Sequence, residues 1–505
     1  MQNGQLVAAV DLGSNSFRLE IGVYEDGHIR RVDYLKETVR QGNGLDADRM
    51  LSKDAMQRGW DCLARFAERL SGFEPEFVRA VATQTLREAR NRDVFLIQAT
   101  TILGFPIDVI SGKEEARLIY VGVAHSLPQS NEKRLVIDIG GRSTEMILGR
   151  AYKPNTMESY RVGSVKWSMK YFANGVFTNA SFSKAEIAAK AVLDEALSLY
   201  PRNAWETAYG SSGTVGAVAD VLASAGWPMG KITREGLEWL KEKLIKAGNT
   251  ETLKLEGVKD DRKPVIGGGL AILYALFDLL CIEEMQAAQG ALRQGVLQDL
   301  LDRLDRNENT DLRSSMVTAL ASRFAVDLAQ ADRVSRTARW LFQSIQASGS
   351  KKTNRLMQLE NKMTWAAQLL EIGTRISHSD FHKHGAYILD NADLTGFSMP
   401  ELHRLSQLIL GHRGKLKKLD AELRDEGFVC QLMSLRLAAI LCHARREPDL
   451  EGLVFKRTSN GDEFVMQCPG TWAQLWPQSA HLLQEECEAW LKTHWQLKLQ
   501  IISGV

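Results

Sequence analysis

The sequence predicts an α/β protein built from two segments that open on the same motif, followed by a long helical region and a small α+β tail. Three observations carry this reading. First, Val10-Asp11-Leu12-Gly13-Ser14-Asn15-Ser16 returns 127 residues later as Ile137-Asp138-Ile139-Gly140-Gly141-Arg142-Ser143. Each copy follows one apolar run and precedes another, so each reads as strand, Asp, glycine-rich turn, strand. Second, Thr207-Ala-Tyr-Gly-Ser-Ser-Gly-Thr214 is a further strand entering a glycine turn. Third, apolar residues recur at helical spacing from Leu312 to about Arg446.

The elements follow in order. The start is strand-rich, with Glu25-Asp26-Gly27 as a hairpin turn. A helix is expected over Lys53 to Leu70, a strand over Phe77 to Thr83, and a helix over Arg87 to Leu103. The second segment starts near Arg134 and ends with helices around Ala271 and from Gly290 to Leu304. The polar stretch Arg306 to Thr310 marks a boundary. After Glu451 the pattern changes again. Leu453 to Lys456 and Glu463 to Gln467 flank the hairpin signal Ser459-Asn460-Gly461-Asp462, and a helix over Ser479 to Leu491 follows. The expected domains are residues 1–124, 125–307, 308–447 and 448–505.

A chain of 505 residues is too long for one core. Its net charge of +1 announces no nucleic-acid or membrane partner, so any preference for anions must be local. Six cysteines without CxxC spacing suit reduced thiols in a cytoplasmic protein and argue against a zinc site or a disulfide framework. The chain enters a strand almost at once, without a leader pattern. The longest apolar stretch, Leu270 to Ile282, contains Asp278 and is too short to span a bilayer, so it reads as a buried helix.

The repeated turns suggest a chemistry. Glycine lets the backbone come close to an anion, and the turn presents N–H groups and small hydroxyls. An Asp at the strand end can hold Mg²⁺, directly or through water. Two such turns facing each other across a cleft would grip a chain of phosphates from both sides.

Taken together, the motifs point to a family. The paired turns look like the two phosphate motifs of the actin, Hsp70 and sugar-kinase superfamily. Asp11-Leu-Gly-Ser-Asn-Ser-Phe17, Ala82-Thr-Gln-Thr-Leu-Arg87, Ile110-Ser-Gly-Lys-Glu-Glu-Ala-Arg117, Asp138-Ile-Gly-Gly-Arg-Ser-Thr-Glu145, Ser212-Gly-Thr214 and Gly290-Ala-Leu-Arg-Gln-Gly295 together resemble the exopolyphosphatase / guanosine pentaphosphate phosphatase family. The helical region, with Ile376-Ser-His-Ser-Asp380 and His384-Gly-Ala-Tyr-Ile-Leu389, resembles its long, four-domain members. The resemblance implies two actin-like, ribonuclease H-like domains, then an all-α HD-like domain and the small tail.

It also implies a site. Asp138 and Glu145 would hold Mg²⁺, and Glu115 would be the base. Asp11, Gly13, Ser14, Asn15, Ser16, Gly140, Gly141, Ser143, Thr144 and Gly213 would cradle phosphate, with Arg18, Arg87 and Arg262 as cationic ligands. The residues allow a physical reading beside this. Ser111 looks like an N-cap whose capping box Glu114 completes, which leaves Glu115 free to face the cleft. Arginine suits bidentate phosphate contact. Where the family's second turn has a third glycine, this chain has Arg142, which would lean to solvent or add a phosphate contact.

Eight of the ten histidines lie between His378 and His494. His378, Asp380, His382, His384 and His412 invite a metal reading, but Leu370-Glu371-Ile372-Gly373 stands where the HD doublet belongs, so a metal-free helical domain is expected. The basic stretches Lys351-Lys352 with Arg355, and His412-Arg413 with Lys415, Lys417 and Lys418, are solvated faces unless they line a path for a polyanion.

The expected activity is removal of terminal phosphate from inorganic polyphosphate, with Mg²⁺ and with K⁺ as activator, by a homodimer that is cytoplasmic or peripheral at the membrane. The alternative is the same chemistry on guanosine pentaphosphate (pppGpp). A kinase-like transferase would need an adenosine pocket near Gly267-Gly268-Gly269, and a non-enzymatic sensor would need a broken catalytic set.

Overall fold

The computed structural model describes residues 1–25, 27–128, 130–304, 312–346, 353–458 and 461–502. The expected boundary at Arg306 to Thr310, the basic pair Lys351-Lys352, and parts of both hairpin turns (Asp26; Ser459-Asn460) lie outside these residues. The chain divides into two compact units, Met1–Glu308 and Asn309–Val505.

The first unit contains two sheets. β1 (Leu6–Leu12), β2 (Phe17–Glu25), β3 (His28–Glu37), β4 (Val78–Ala82) and β5 (Ile107–Val109) form the order β3-β2-β1-β4-β5. β6 (Lys133–Ile139), β7 (Thr144–Arg150), β8 (Lys153–Tyr160), β9 (Thr207–Ser211), β10 (Lys231–Thr233) and β11 (Glu284–Ala287) form β10-β11-β9-β6-β7-β8. The second sheet repeats the first and adds β10 at one edge. In each, the motif-bearing strand pairs antiparallel with the next strand and parallel with a later one. β1 and β6 are buried almost throughout, which explains their near-continuous apolar runs.

Helices cover the sheets. Lys53–Arg69 begins at an N-cap Ser52 that accepts from Ala55 N. The helix expected over Arg87 to Leu103 is two helices, Gln84–Glu88 and Arg92–Leu103. The break places Arg87 in the last turn of a short helix instead of the first turn of a long one. Helices Gly112–Ser126 and Leu292–Leu304 touch backbone to backbone: a Cβ on Gly122 would collide with Ala291 O, and one on Gly295 with Leu118 O. Helix Ile266–Leu280 is the expected buried helix, with Leu270 to Leu273 fully buried. By length and composition the segment Lys263–Leu280 could cross a bilayer, and most of it is packed inside this unit.

The second unit is helical, as the spacing predicts. Its helices and the tail share one apolar core that includes Leu341, Phe342, Phe397 and Phe428 together with Phe464, Trp490 and Trp495. In the tail, β12 (Val454–Arg457) pairs antiparallel with β13 (Glu463–Pro469). A third strand, β14 (Gln496–Ile502), pairs parallel with β13 after helix Pro477–Trp490. The sequence reading stops at that helix and does not include this strand.

Glu371, at the position of the missing doublet, makes paired hydrogen bonds with Arg445, of 2.7 and 2.9 Å. His412 is buried with its Nδ1 2.7 Å from Ile409 O, and Asp380 accepts from Lys383 at 3.0 Å. Arg413, Lys415, Lys417 and Lys418 are exposed.

Candidate active site

The repeated turns are built alike. A Cβ on Gly13 would lie 2.9 Å from Ser16 O, closer than a side chain allows, and one on Gly140 would lie 3.1 Å from Ser143 O, a tight contact, so both turns fold back on themselves. The two turns also meet at their tips. A Cβ on Gly141 would lie 3.3 Å from Ser14 Cβ and 3.7 Å from Asn15 N. Beside them opens a cleft.

Most of the residues expected at the site line this cleft: Asp11, Gly13, Ser14, Asn15, Ser16, Arg18, Glu115, Asp138, Gly140, Gly141, Ser143, Gly213 and Arg262. Glu145, Arg87 and Thr144 stand behind the wall. The Thr144 hydroxyl donates to Val162 O at 2.7 Å, so it is engaged in holding the hairpin. Arg87 makes two 3.1 Å hydrogen bonds to Glu115 Oε2 and one of 2.7 Å to Ile110 O. In this structure it holds the carboxylate in place. Glu145 accepts from Ser159 Oγ at 2.8 Å.

The strand register pairs the key groups. Asp138 lies directly opposite Glu145, and Asp11 lies directly opposite Arg18. Residues paired across antiparallel strands project to the same face, so each pair is presented together. The repeat is thus conserved in position and inverted in charge.

Four helix starts surround the cleft. Ser164 opens Ser164–Tyr171, Ser212 and Gly213 open Ser212–Ser224, Leu292 opens Leu292–Leu304, and Glu115 lies in the first turn of Gly112–Ser126. The dipoles of these helices favour an anion, although the first N–H groups of Ser164–Tyr171 are already bonded to Gly140 O and Gly141 O of the second turn. Ser212 has φ +84°, a conformation that favours glycine, and its hydroxyl donates to Ile139 O at 2.9 Å. Arg262 lies against Gly213, where a Cβ would strike the guanidinium.

The electrostatics are those of carboxylates crowded out of water. Burial raises Asp138 to about 6, with the Ser211 hydroxyl and Arg18 opposing. Burial raises Glu115 to about 7 against the pull of Arg87, and Asp11 and Asp138 add to the rise. Burial also raises Asp11, and it raises Glu145 well above the usual range with help from Glu115 and Asp138. On the cationic side, Arg18 Nε and Arg293 Nη1 are buried without a hydrogen-bond partner. Buried donors of this kind are uncommon and fit an anion that completes them.

Sequence reasoning missed Arg293, although its motif was recognised. It donates to Glu20 at 3.2 Å and stands 3.8 Å from Asp11 Oδ2. Ser164 and Ser212 were also missed, the second despite its place in a quoted motif. Ser111 caps its helix as expected, accepting from Glu114 N at 3.2 Å. The Glu114 carboxylate makes paired hydrogen bonds of 2.8 and 2.7 Å with Arg117 in place of the expected capping box. Arg117, Arg79 and Arg303 converge in turn on Asp299. The glycines at 267–269 pack closely against other elements: a Cβ on Gly268 would lie 2.5 Å from Ser164 O.

Comparison with known proteins agrees with this arrangement. The family model of the Ppx/GppA phosphatases matches residues 21–304, and that of the family's domain III matches residues 312–488. The chain belongs to the Ppx/GppA phosphatase family. A relative from Pseudoalteromonas translucida, named guanosine-5'-triphosphate,3'-diphosphate pyrophosphatase, is 39% identical over 97% of each chain. One of the same name from Vibrio cholerae is 37% identical over 98% of each. The crystal structure of an exopolyphosphatase from Cytophaga hutchinsonii is 21% identical with a TM-score of 0.53, covering 59% of this chain and 98% of that one. The last supports the fold: the two repeated sheets are the actin-like halves of a Ppx/GppA protein.

Arg142 does not lean out to solvent. It is mostly buried, lies outside the cleft lining, and ties the two halves of the unit together. It donates to Gly42 O at 2.9 Å and to Glu88 Oε2 at 3.3 and 3.1 Å.

Proposed function

We propose that this chain hydrolyses the terminal phosphoanhydride of pppGpp, releasing orthophosphate from the 5′ end. The observation that carries the hydrolytic part is the facing pair of Asp–glycine turns, with buried Glu115 beside them and four helix starts converging on one cleft. The nucleotide part is supported by relatives that are similar over nearly their whole length and named for guanosine-5'-triphosphate,3'-diphosphate. Inorganic polyphosphate, ranked first on the sequence, becomes the second reading.

The reaction needs charge neutralisation, an oriented water and a fixed phosphate. The turns and the helix starts hold the terminal phosphates through N–H groups and the hydroxyls of Ser14, Ser16 and Ser143. Arg18, Arg262 and Arg293 supply positive charge. Glu115, held by Arg87, accepts a proton from the attacking water, and a base titrating near 7 is matched to that task.

The donor set suits Mg²⁺. Asp138 and Glu145 are adjacent oxygen donors whose burial leaves negative charge to be offset. Among the described residues no three metal-ligating side chains form a ready-made cage. Mg²⁺ is commonly held by one or two carboxylates plus substrate phosphates and water. Bound there, it would neutralise charge on the anhydride.

The test is phosphate release from pppGpp and, separately, from long-chain polyphosphate, with Mg²⁺ and K⁺, at matched phosphate-end concentrations. Faster turnover of pppGpp supports the proposal. Preference for the polymer moves the chain to the second reading, and no release from either overturns both.

A further inference from the structure

A continuous hydrogen-bonded relay runs from the second phosphate turn to the base. Arg142, on the β6–β7 turn, donates to Glu88 Oε2 at 3.1 Å. The other oxygen of Glu88 accepts from Gln84 Nε2 at 2.6 Å. Gln84 Oε1 accepts from Arg87 Nε at 3.0 Å. Arg87 closes the relay on Glu115 Oε2 with two 3.1 Å bonds. Four of the five residues belong to the first half of the unit; only Arg142 reaches across from the second.

Arg142 also grips the opposite turn. It donates to Gly42 O at 2.9 Å, and Gly42 N donates to Ser14 O at 2.7 Å. Thr85, on the same short helix as Glu88, donates to Ser14 Oγ at 2.8 Å. The helix Gln84–Glu88 therefore contacts the first turn on one side and Arg142 on another, and it carries the guanidinium that orients Glu115.

We propose that Arg142 is a positioning residue that links closure of the two phosphate turns to orientation of the base. While the two turns are held together, Arg142 bonds Glu88, and the short helix locks Arg87 onto Glu115. When they part, the relay loses its only member from the second half, and Arg87 is less restrained. The two functions meet in one residue because Glu88 is next to Arg87 in the chain. The equivalent of Arg142 in the first turn is Asn15, whose side chain is too short for such a bridge, so the device is one-sided. A buried ionic and hydrogen-bonded chain of this kind holds one geometry better than isolated pairs do. Glu88 supports this: despite its burial, its carboxyl is held below the usual range, with Gln84 and Arg142 as the main stabilisers.

The proposal rests on the reading of the cleft as a phosphoanhydride-hydrolysing site, and its test has one arm that does not depend on turnover. Hydrogen–deuterium exchange over residues 84–88 is compared in wild type and Arg142→Ala, using the full chain. The expected result is at least tenfold faster exchange in the variant with the rest of the first unit unchanged; equal exchange overturns the proposal. The kinetic arm uses whichever substrate wild type turns over. Arg142→Ala and Glu88→Ala each lower kcat by about tenfold with KM changed by less than about twofold, and the double variant is no worse than either single one. Arg142→Lys, which keeps the charge and much of the reach, recovers most of the loss. Additive losses, or a loss confined to KM, would mean that Arg142 only shapes the cleft. Wild type that fails to release phosphate refutes the functional reading and leaves the exchange arm to decide the relay.

Discussion

Replacing Glu115 by Gln should yield a nearly inactive protein that gains stability relative to wild type as pH rises. The buried carboxyl titrates near 7 where an ordinary glutamate titrates near 4.5. A native group with a raised value binds its proton more tightly than the unfolded chain does. Its contribution to stability is therefore fully present below about pH 4.5 and is lost as pH rises through 7. The separation corresponds to about 3 kcal/mol. Glutamine has nearly the same shape and no such titration. In metal-free buffer the stability difference between Glu115→Gln and wild type should move by about 3 kcal/mol in favour of the variant between pH 4.5 and 8. For a unit of this size that is about 5 °C in melting temperature. Any difference in packing or hydrogen bonding between glutamine and the neutral carboxyl adds an offset that does not depend on pH, so the slope is the quantity to read. The kcat should fall about 10²- to 10⁴-fold with loss of the base. Paired melting curves and initial rates across that pH range test both halves. A flat or reversed stability difference would refute the burial argument, and kcat within tenfold of wild type would remove Glu115 from the chemistry.

Two other perturbations test the scaffold behind the site. Asp299→Ala leaves Arg79 and Arg117 buried with Glu114 as their remaining carboxylate partner; unfolding in urea should show a loss of about 3–5 kcal/mol. Gly295→Ala drives a methyl group into Leu118 O and pushes apart the two helices that flank the cleft; it should cost at least about 2 kcal/mol by the same measurement and lower kcat, because Glu115 rides on the displaced helix.

Much of this site was legible because its chemistry is local. Asp11 to Ser16 and Asp138 to Ser143 are contiguous turns, and their spacing alone places an acid at a strand end and glycines beside it. The seven-residue return from Asp138 to Glu145 is a hairpin register, so their meeting was readable. What was hidden depends on distant partners. The bond from Arg87 to Glu115 is one such case, because nothing in the neighbourhood of Arg87 shows that Glu115, on a different helix, lies within 3.1 Å. Glu114 satisfies a local capping pattern, yet Arg117 and Arg79 offer a buried charge partner, and that stronger interaction wins. Arg142 was ambiguous for the same reason: Gly42 and Glu88 reach it only after the two halves have packed. The strand Gln496–Ile502 depends on parallel pairing with β13, which short-range pattern does not announce.

The charge inversion between the two hairpins has a consequence for direction. A run of phosphates is nearly the same read from either end, and a clamp made of two equal turns would accept it in either sense. Arg18 stands where Glu145 stands in the other copy, so on the proposed reading one jaw would face phosphate with a cation and the other would offer carboxylates to a metal ion. On the proposed reading the repeated turns would supply the grip, and the difference in sign between the hairpins would give it a heading.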